Sequence, residues 1–202
     1  MTKRRVGIFG GTFSPPHVGH IHAAKSFLAS ERPDVLYIIP SHISPGKRED
    51  RYADPAERLQ MCRLAFGDLP NTEICDIEIS RKGTSYTLDT LKAFSGEDVE
   101  LTVLCGTDTA LSLDTWYHPG ELFALAQFVC IRRERDGDTL EKLAEKNRFY
   151  AENFGSTVRL IDCDPTPISS TEVRDVLLSG GESLHVTPAV AAFIKERGLY
   201  SL

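Results

Sequence analysis

The run GGTFSPPHVGH, from Gly10 to His20, brings together the residue types that phosphate chemistry requires, at a spacing that lets them act together. Gly10 and Gly11 have no side chains, so the backbone there can approach a ligand and present its amides. Pro15 and Pro16 stiffen the approach to a helix expected to start near His17. A helix N-terminus attracts anions through its unbonded N–H groups and its dipole. His17 and His20 are three residues apart, which sets both imidazoles on one face of the first turn, while His22 falls on another. Two such imidazoles can donate to one phosphate, as cations where the phosphates hold them protonated. The alternative is a pair of packing or surface histidines. Zinc fits less well, because neither an HExxH pattern nor a further ligand cluster accompanies the pair. The run also departs from GxGxxG and from the Walker loop, so neither a dinucleotide-binding Rossmann enzyme nor a P-loop NTPase is supported.

A second candidate lies near the other end, in TPISSTEVRDVLLSG. Ser169 with Glu172 three residues later fits a capping box, and Arg174 falls in the second helical turn. Taken alone, this is an ordinary helix start.

The elements that must position these residues show in the hydrophobic pattern. Short apolar runs, VGIF at Val6, VLYIIP at Val35, VELTVLC at Val99, QFVCI at Gln127 and TVRLIDC at Thr157, read as buried strands. Between them HIHAAKSFLAS, AERLQMCRLAF, YTLDTLKAF, GDTLEKLAEKNRFYAENF and STEVRDVLL have helical spacing. This alternation predicts an α/β fold, a Rossmann-like, doubly wound, mostly parallel sheet with helices on both faces. Ligands in such sheets bind beyond the carboxyl ends of the strands. The segment SHISPGKREDRYADP is polar and rich in turn formers, and is expected to be a surface loop that serves as a lid.

With 202 residues the chain is expected to form one domain over 1–202, with a C-terminal helical part from about 168 to 202. Apolar residues at 41% and charged residues at 26% place it among ordinary globular proteins. A formal net charge of -6 gives no general attraction for nucleic acid or an anionic membrane, so neither is expected as a partner and any phosphate site must be built locally. Five cysteines without a CxxC pair argue against zinc and against a disulfide framework. No leader and no apolar stretch near the roughly 18 residues of a membrane span is present, so a cytoplasmic location is expected.

GIFGGTFSPPHVGH resembles the (H/T)xGH signature of the nucleotidylyltransferase superfamily, which includes the adenylyltransferases of NAD and coenzyme A synthesis and is distantly related to class I aminoacyl-tRNA synthetases. TPISSTEVR is similar to the ISSTxxR-like motif with which that superfamily ends, and RKGTSYTLDTL resembles the GPSYTxxTL element of the bacterial nicotinate-nucleotide adenylyltransferase family, with Thr84 where Pro is usual. VLCGTDTALSLDTWYHPGELFALAQFVCIRRE is similar to that family's run from its GxD motif through a Trp, and VTPAVAAFIKERGLYSL to its closing helix. Phosphopantetheine adenylyltransferase shares the two phosphate motifs but is shorter and lacks the SYT element and the Trp.

The resemblance implies His17, His20, Lys47 and Arg174 as catalytic residues, and an ATP site of Gly10, Gly11, Thr12, Phe13, His20, Gly106, Asp108, Ile168, Ser169, Ser170 and Arg174. Ser85, Tyr86, Thr87, Trp116, Tyr117 and Arg133 would hold nicotinate mononucleotide, with Trp116 stacked on the pyridine ring and amides near Thr87 and Tyr117 receiving the carboxylate. Trp116 stands in the polar loop DTWYHPG, where a large indole is not expected to be wholly buried. Asp108 is placed to accept from ribose hydroxyls, or else to cap a helix. The chain departs from the family pattern at Ser14, where Asp is usual, and at Gly46, where SPGK replaces PPHK.

The implied reaction joins the AMP part of ATP to nicotinate mononucleotide, giving deamido-NAD and pyrophosphate. A phosphate monoester is already largely dianionic at neutral pH, its second pKa being about 6, so no general base is needed. Mg2+ would be held chiefly through the phosphates and water, without a dedicated protein metal site. The sequence is compatible with a homo-oligomer as well as a monomer. Phosphopantetheine or nicotinamide mononucleotide as the acceptor, and a nucleotide sensor without turnover, stay open as rival readings.

Overall fold

The computed structural model describes residues 2–45, 52–132, 138–161, 163–164, 167–181 and 185–200. The five apolar runs form strands β1 (Arg4–Gly11), β2 (Val35–Pro40), β4 (Val99–Gly106), β5 (Ala126–Ile131) and β6 (Val158–Ile161). A further strand, β3 (Thr72–Ile74), was not foreseen: it has three residues at the sheet edge, Glu73 exposed between half-buried Thr72 and Ile74, too few to show a period. The order is β3-β2-β1-β4-β5-β6, and every pairing is parallel. The chain winds outward from β1 to β3, returns to β4 beside β1, and winds outward again. The carboxyl ends of β1 and β4 therefore flank the point where the winding reverses, which is where such sheets open a crevice.

The helices are α1 (Val18–Glu31), α2 (Pro55–Phe66), α3 (Ile77–Arg81), α4 (Thr87–Phe94), α5 (Thr107–Ala110), α6 (Pro119–Leu125), α7 (Asp138–Phe154), α8 (Ser170–Leu178) and α9 (Pro188–Arg197). Alternate strand residues serve opposite faces. Val6, Ile8, Val35, Ile39, Leu101 and Val103 meet Leu88 and Leu91 of α4, Leu122 of α6 and Tyr150 of α7. On the other face Phe9, Leu36, Ile38, Leu104 and Val129 meet Phe27 of α1 and Phe66 of α2. Helix α1 lies so close to β1 that a Cβ on Gly7 would stand 2.6 Å from the Phe27 ring. Helices α8 and α9 pack on α2 through a third cluster of Ala53, Met61, Val173, Val186, Val190 and Ile194. All five cysteines are free, and Cys62, Cys105 and Cys130 are buried.

Candidate active site

A Gly-Gly pair after an apolar run suggests a turn, but the first loop begins later. Strand β1 continues through both glycines, which pair with Ile39 and Pro40, and the reversal comes at Phe13, in the left-handed region with φ 48°. A Cβ on Gly10 would meet nothing within 4 Å, so that position borders open space, whereas one on Gly11 would stand 3.0 Å from the Phe13 ring. Aromatic packing holds Phe13 in its strained conformation, with Phe9 at 5.4 Å, Phe66 at 5.7 Å and His20 at 5.0 Å between ring centroids.

His17 is the N-cap of α1, and its ring lies 3.7 Å from that of His20, so the two imidazoles do share one face. The His17 amide donates to His20 Nδ1 at 3.2 Å. A nitrogen that accepts carries no proton, so in the neutral ring the proton is on Nε2, which becomes the donor. His22, expected on another face, lines the same cleft as His20, Gly19, Ala23, Gly106 and Arg132. His22 Nε2 also donates to the carbonyl of Asp164, in the connector after β6, at 3.0 Å.

The second motif forms the expected capping box: the Glu172 amide donates to Ser169 Oγ at 3.2 Å, and the Ser169 amide to Glu172 Oε2 at 2.8 Å. The two motifs touch. Ser170 Oγ donates to the Pro15 carbonyl at 3.1 Å, and Arg174 Nη1 to the Ser14 carbonyl at 2.6 Å. Arg174 is buried, with Nη2 donating to Thr171 Oγ1 at 3.1 Å and its guanidinium 5.0 Å above the Tyr52 ring. In this conformation it grips the first loop. Ile168 packs against the third cluster beside α8.

Ser14, the departure from the family pattern, is 1% exposed. Its hydroxyl accepts from the Ala53 amide at 3.1 Å and shares a hydrogen bond with the Tyr200 hydroxyl at 2.8 Å. Burial pushes the Tyr200 phenol up to about 12, so it stays neutral beside a neutral partner. Arg58 was overlooked in the sequence. It is 3% exposed and reaches four backbone carbonyls: Nε donates to Ala53 at 3.0 Å, Nη1 to Thr12 at 2.9 Å and Ser41 at 2.6 Å, and Nη2 to His42 at 2.9 Å. Its signal was a cation three and four residues before Met61 and Cys62, on the buried stripe of α2.

Across the crevice, the SYT and WYHPG segments meet. The Tyr86 and Tyr117 rings lie 4.7 Å apart, and Lys92 pairs with Glu121 at 2.7 Å. Ser85 is buried: its hydroxyl accepts from the His42 amide at 2.9 Å, and its amide donates to the Ile43 carbonyl at 2.8 Å. Ser85 thus secures the loop to the base of the 41–55 segment. Tyr86 is the N-cap of α4 without a side-chain cap bond, so the amide of Thr87, the first helical residue, has no acceptor within the helix. Trp116 is partly buried, packed against the main core, and its amide is taken by the Leu113 carbonyl at 3.2 Å. Beneath this loop Glu78 accepts from Thr90 Oγ1 at 2.7 Å, and burial raises its carboxyl above the ordinary 4.5. Gly106 ends β4 and is the N-cap of α5, so Asp108 is not the cap; it stands exposed in the first turn.

Gly46, Lys47 and Arg133 lie outside the described residues. Among the described residues no group of three or more His, Cys, Asp or Glu is placed to hold a metal ion, and no helix is long and apolar enough to cross a membrane.

The profile of the cytidylyltransferase-like family matches residues 8–176. A curated relative from Desulfatibacillum aliphaticivorans, named nicotinate-nucleotide adenylyltransferase, is 32% identical over 214 residues, covering 97% of this chain and 99% of its own. Among solved structures, the Plasmodium falciparum nicotinic acid mononucleotide adenylyltransferase complexed with NaAD is similar with a TM-score of 0.78 at 18% identity, over 98% of this chain and 97% of the other. A Vibrio parahaemolyticus structure described as a nicotinate-nucleotide adenylyltransferase is similar with a TM-score of 0.61 at 20% identity, over 96% and 99%. At those identities the structural likeness speaks for the fold, and the closer sequence relative and the family profile speak for kinship. The chain belongs to the cytidylyltransferase-like family and, within it, to the nicotinate-nucleotide adenylyltransferases.

Proposed function

We propose that this chain, acting as one domain, transfers the adenylyl group of ATP to nicotinate mononucleotide, releasing pyrophosphate and forming deamido-NAD. The observation that carries the reading is the contact of the two phosphate motifs, Ser170 on Pro15 and Arg174 on Ser14, at the strand ends facing the SYT and WYHPG pair. The triphosphate would lie against Gly10, Thr12 and Phe13, the His17–His20 face and the start of α8 with Ser169 and Ser170. Gly106 and Asp108 would meet its ribose. Arg174 supports this site from behind the first loop, and Lys47 acts from the 41–55 segment.

A phosphate oxygen of the mononucleotide forms a bond to the α-phosphorus as the bond to the bridging oxygen breaks, and that oxygen leaves with pyrophosphate. His20 Nε2–H donates to the charge that develops, aimed there before the reaction begins. Mg2+ would enter on the triphosphate and neutralise part of its charge. The Thr87 amide, with that of Tyr117, would receive the nicotinate carboxylate while Trp116 covers the ring.

The test is kcat/KM for nicotinate and nicotinamide mononucleotides at fixed ATP and magnesium, read by pyrophosphate release. Two backbone donors suit a carboxylate, whereas a carboxamide turns its own NH2 toward one of them. Each unpaired buried polar group costs roughly 1–3 kcal/mol, so a preference of about tenfold or more for the acid is expected. Equal values, or ATP binding without pyrophosphate release, would overturn the proposal.

A further inference from the structure

Arg58 joins three segments that no single strand or helix holds. Thr12 belongs to the first loop, Ser41 and His42 to the exit from β2, and Ala53 to the entry into α2. The 41–55 segment therefore has both ends fastened to one guanidinium, which also grips the loop carrying Phe13 and leading to His17. A hydroxyl chain runs beside it, with Thr12 Oγ1 and Ser44 Oγ at 2.9 Å and Ser44 Oγ and Ser41 Oγ at 2.7 Å.

Stability alone does not call for an arginine here. A buried cation pays a desolvation cost, and an apolar side chain of similar volume often replaces a buried charge at no loss. A planar fork of fixed donors is what reaching four carbonyls on three segments requires, and lysine, with a single ammonium, cannot reproduce it. The Thr12–Phe13 peptide is not cis, so its C=O and N–H point in opposite directions. Holding the Thr12 carbonyl on Arg58 thus turns the Phe13 N–H away from Arg58 and fixes its direction. We infer that Arg58 is a positioning residue for adenylyl transfer, aligning the amides of the first loop, and the helix start that follows, with the two ends of the 41–55 segment. This rests on the function proposed above.

The experiment compares the full chain with Arg58→Lys and Arg58→Gln by steady-state kinetics and by hydrogen exchange. Misaligned donors weaken the transition state more than the ground state, so kcat is expected to fall about 10-fold to 100-fold in Arg58→Lys. The KM for the mononucleotide should change by a smaller factor than kcat, since Arg58 reaches that pocket only indirectly, through the bond between the His42 amide and Ser85. Exchange should accelerate at residues 12–14 and 41–45 while β4 and β5 keep wild-type protection. Arg58→Lys with wild-type kcat, or equal rises in exchange throughout the sheet, overturns the inference. Unfolding of both variants overturns it too, because Arg58 would then hold up the fold instead of aligning the loop. Failure of the underlying reading is distinct, since wild type itself would then release no pyrophosphate.

Discussion

His20 shows how one backbone amide can define the chemistry of a side chain. Because Nδ1 accepts from the His17 amide, the neutral ring carries its proton on Nε2, and the ring lies edge-on to Phe13. Removing one such donor from a developing oxyanion costs about 100-fold to 1,000-fold in turnover. His20→Ala is expected to lose that much while the fold survives at some cost in stability, since the ring also accepts from the His17 amide and packs on Phe13. His17→Ala, at a 1% exposed position, should lose turnover alike with a larger cost in stability. A steady-state rate near wild type for His20→Ala would remove the phosphate role. These two residues were legible because their chemistry and spacing lie within four consecutive positions. Arg58 was not, because its Thr12 acceptor is 46 residues away and pattern alone does not reveal such a partner.

Among the elements, the strands announced themselves through apolar runs and the helices through their period, with omissions where an element is too short to show one. β3 has three residues and α6 seven, of which Leu122 and Phe123 are the buried pair. The glycines misled differently: a Gly-Gly pair suggests a turn, yet parallel pairing with β2 extends the strand through them and leaves the left-handed residue to be Phe13. Helix α4 is the element whose surroundings make a pH-dependent prediction. Burial raises the Glu78 pKa against the donors Thr90 and Ser85 and the charge of Arg81, with Asp89 adding to the rise. Below 4.5 the carboxyl is protonated in both folded and unfolded chains, and its contribution to stability is fully present. That contribution is lost as pH rises through the folded pKa, because the unfolded chain then ionises more readily. Glu78→Gln has no such dependence, so the stability of the variant relative to wild type should increase between about pH 4 and 7 in urea titrations. A constant difference across that range would show that Glu78 does not titrate as described.

At the scale of the whole molecule, the doubly wound order was foreseen from the alternation of elements, and the crevice between β1 and β4 follows from it. What pattern could not supply was the way the far end of the chain returns to the first loop. Ser14 and Tyr200 are 186 positions apart, and their hydrogen bond links that loop to the segment after α9. Tyr200→Phe keeps the ring in place and removes only the hydroxyl, so it should cost about 1 kcal/mol in urea unfolding, the usual net worth of one hydrogen bond. No measurable loss would mean that solvent replaces the contact. The same tie has a consequence for the order of folding. Closing a contact over so long a stretch costs chain entropy that local pairing does not, so β1 and β2 should gain protection in refolding before the Ser14 region does. During synthesis, the partners Ser170, Arg174 and Tyr200 are made 155, 160 and 186 positions after the loop residues they fasten. Until then the first loop has its earlier partners alone, among them Arg58 on the Thr12 carbonyl and Phe66 against Phe13, so it should reach its final shape in two stages.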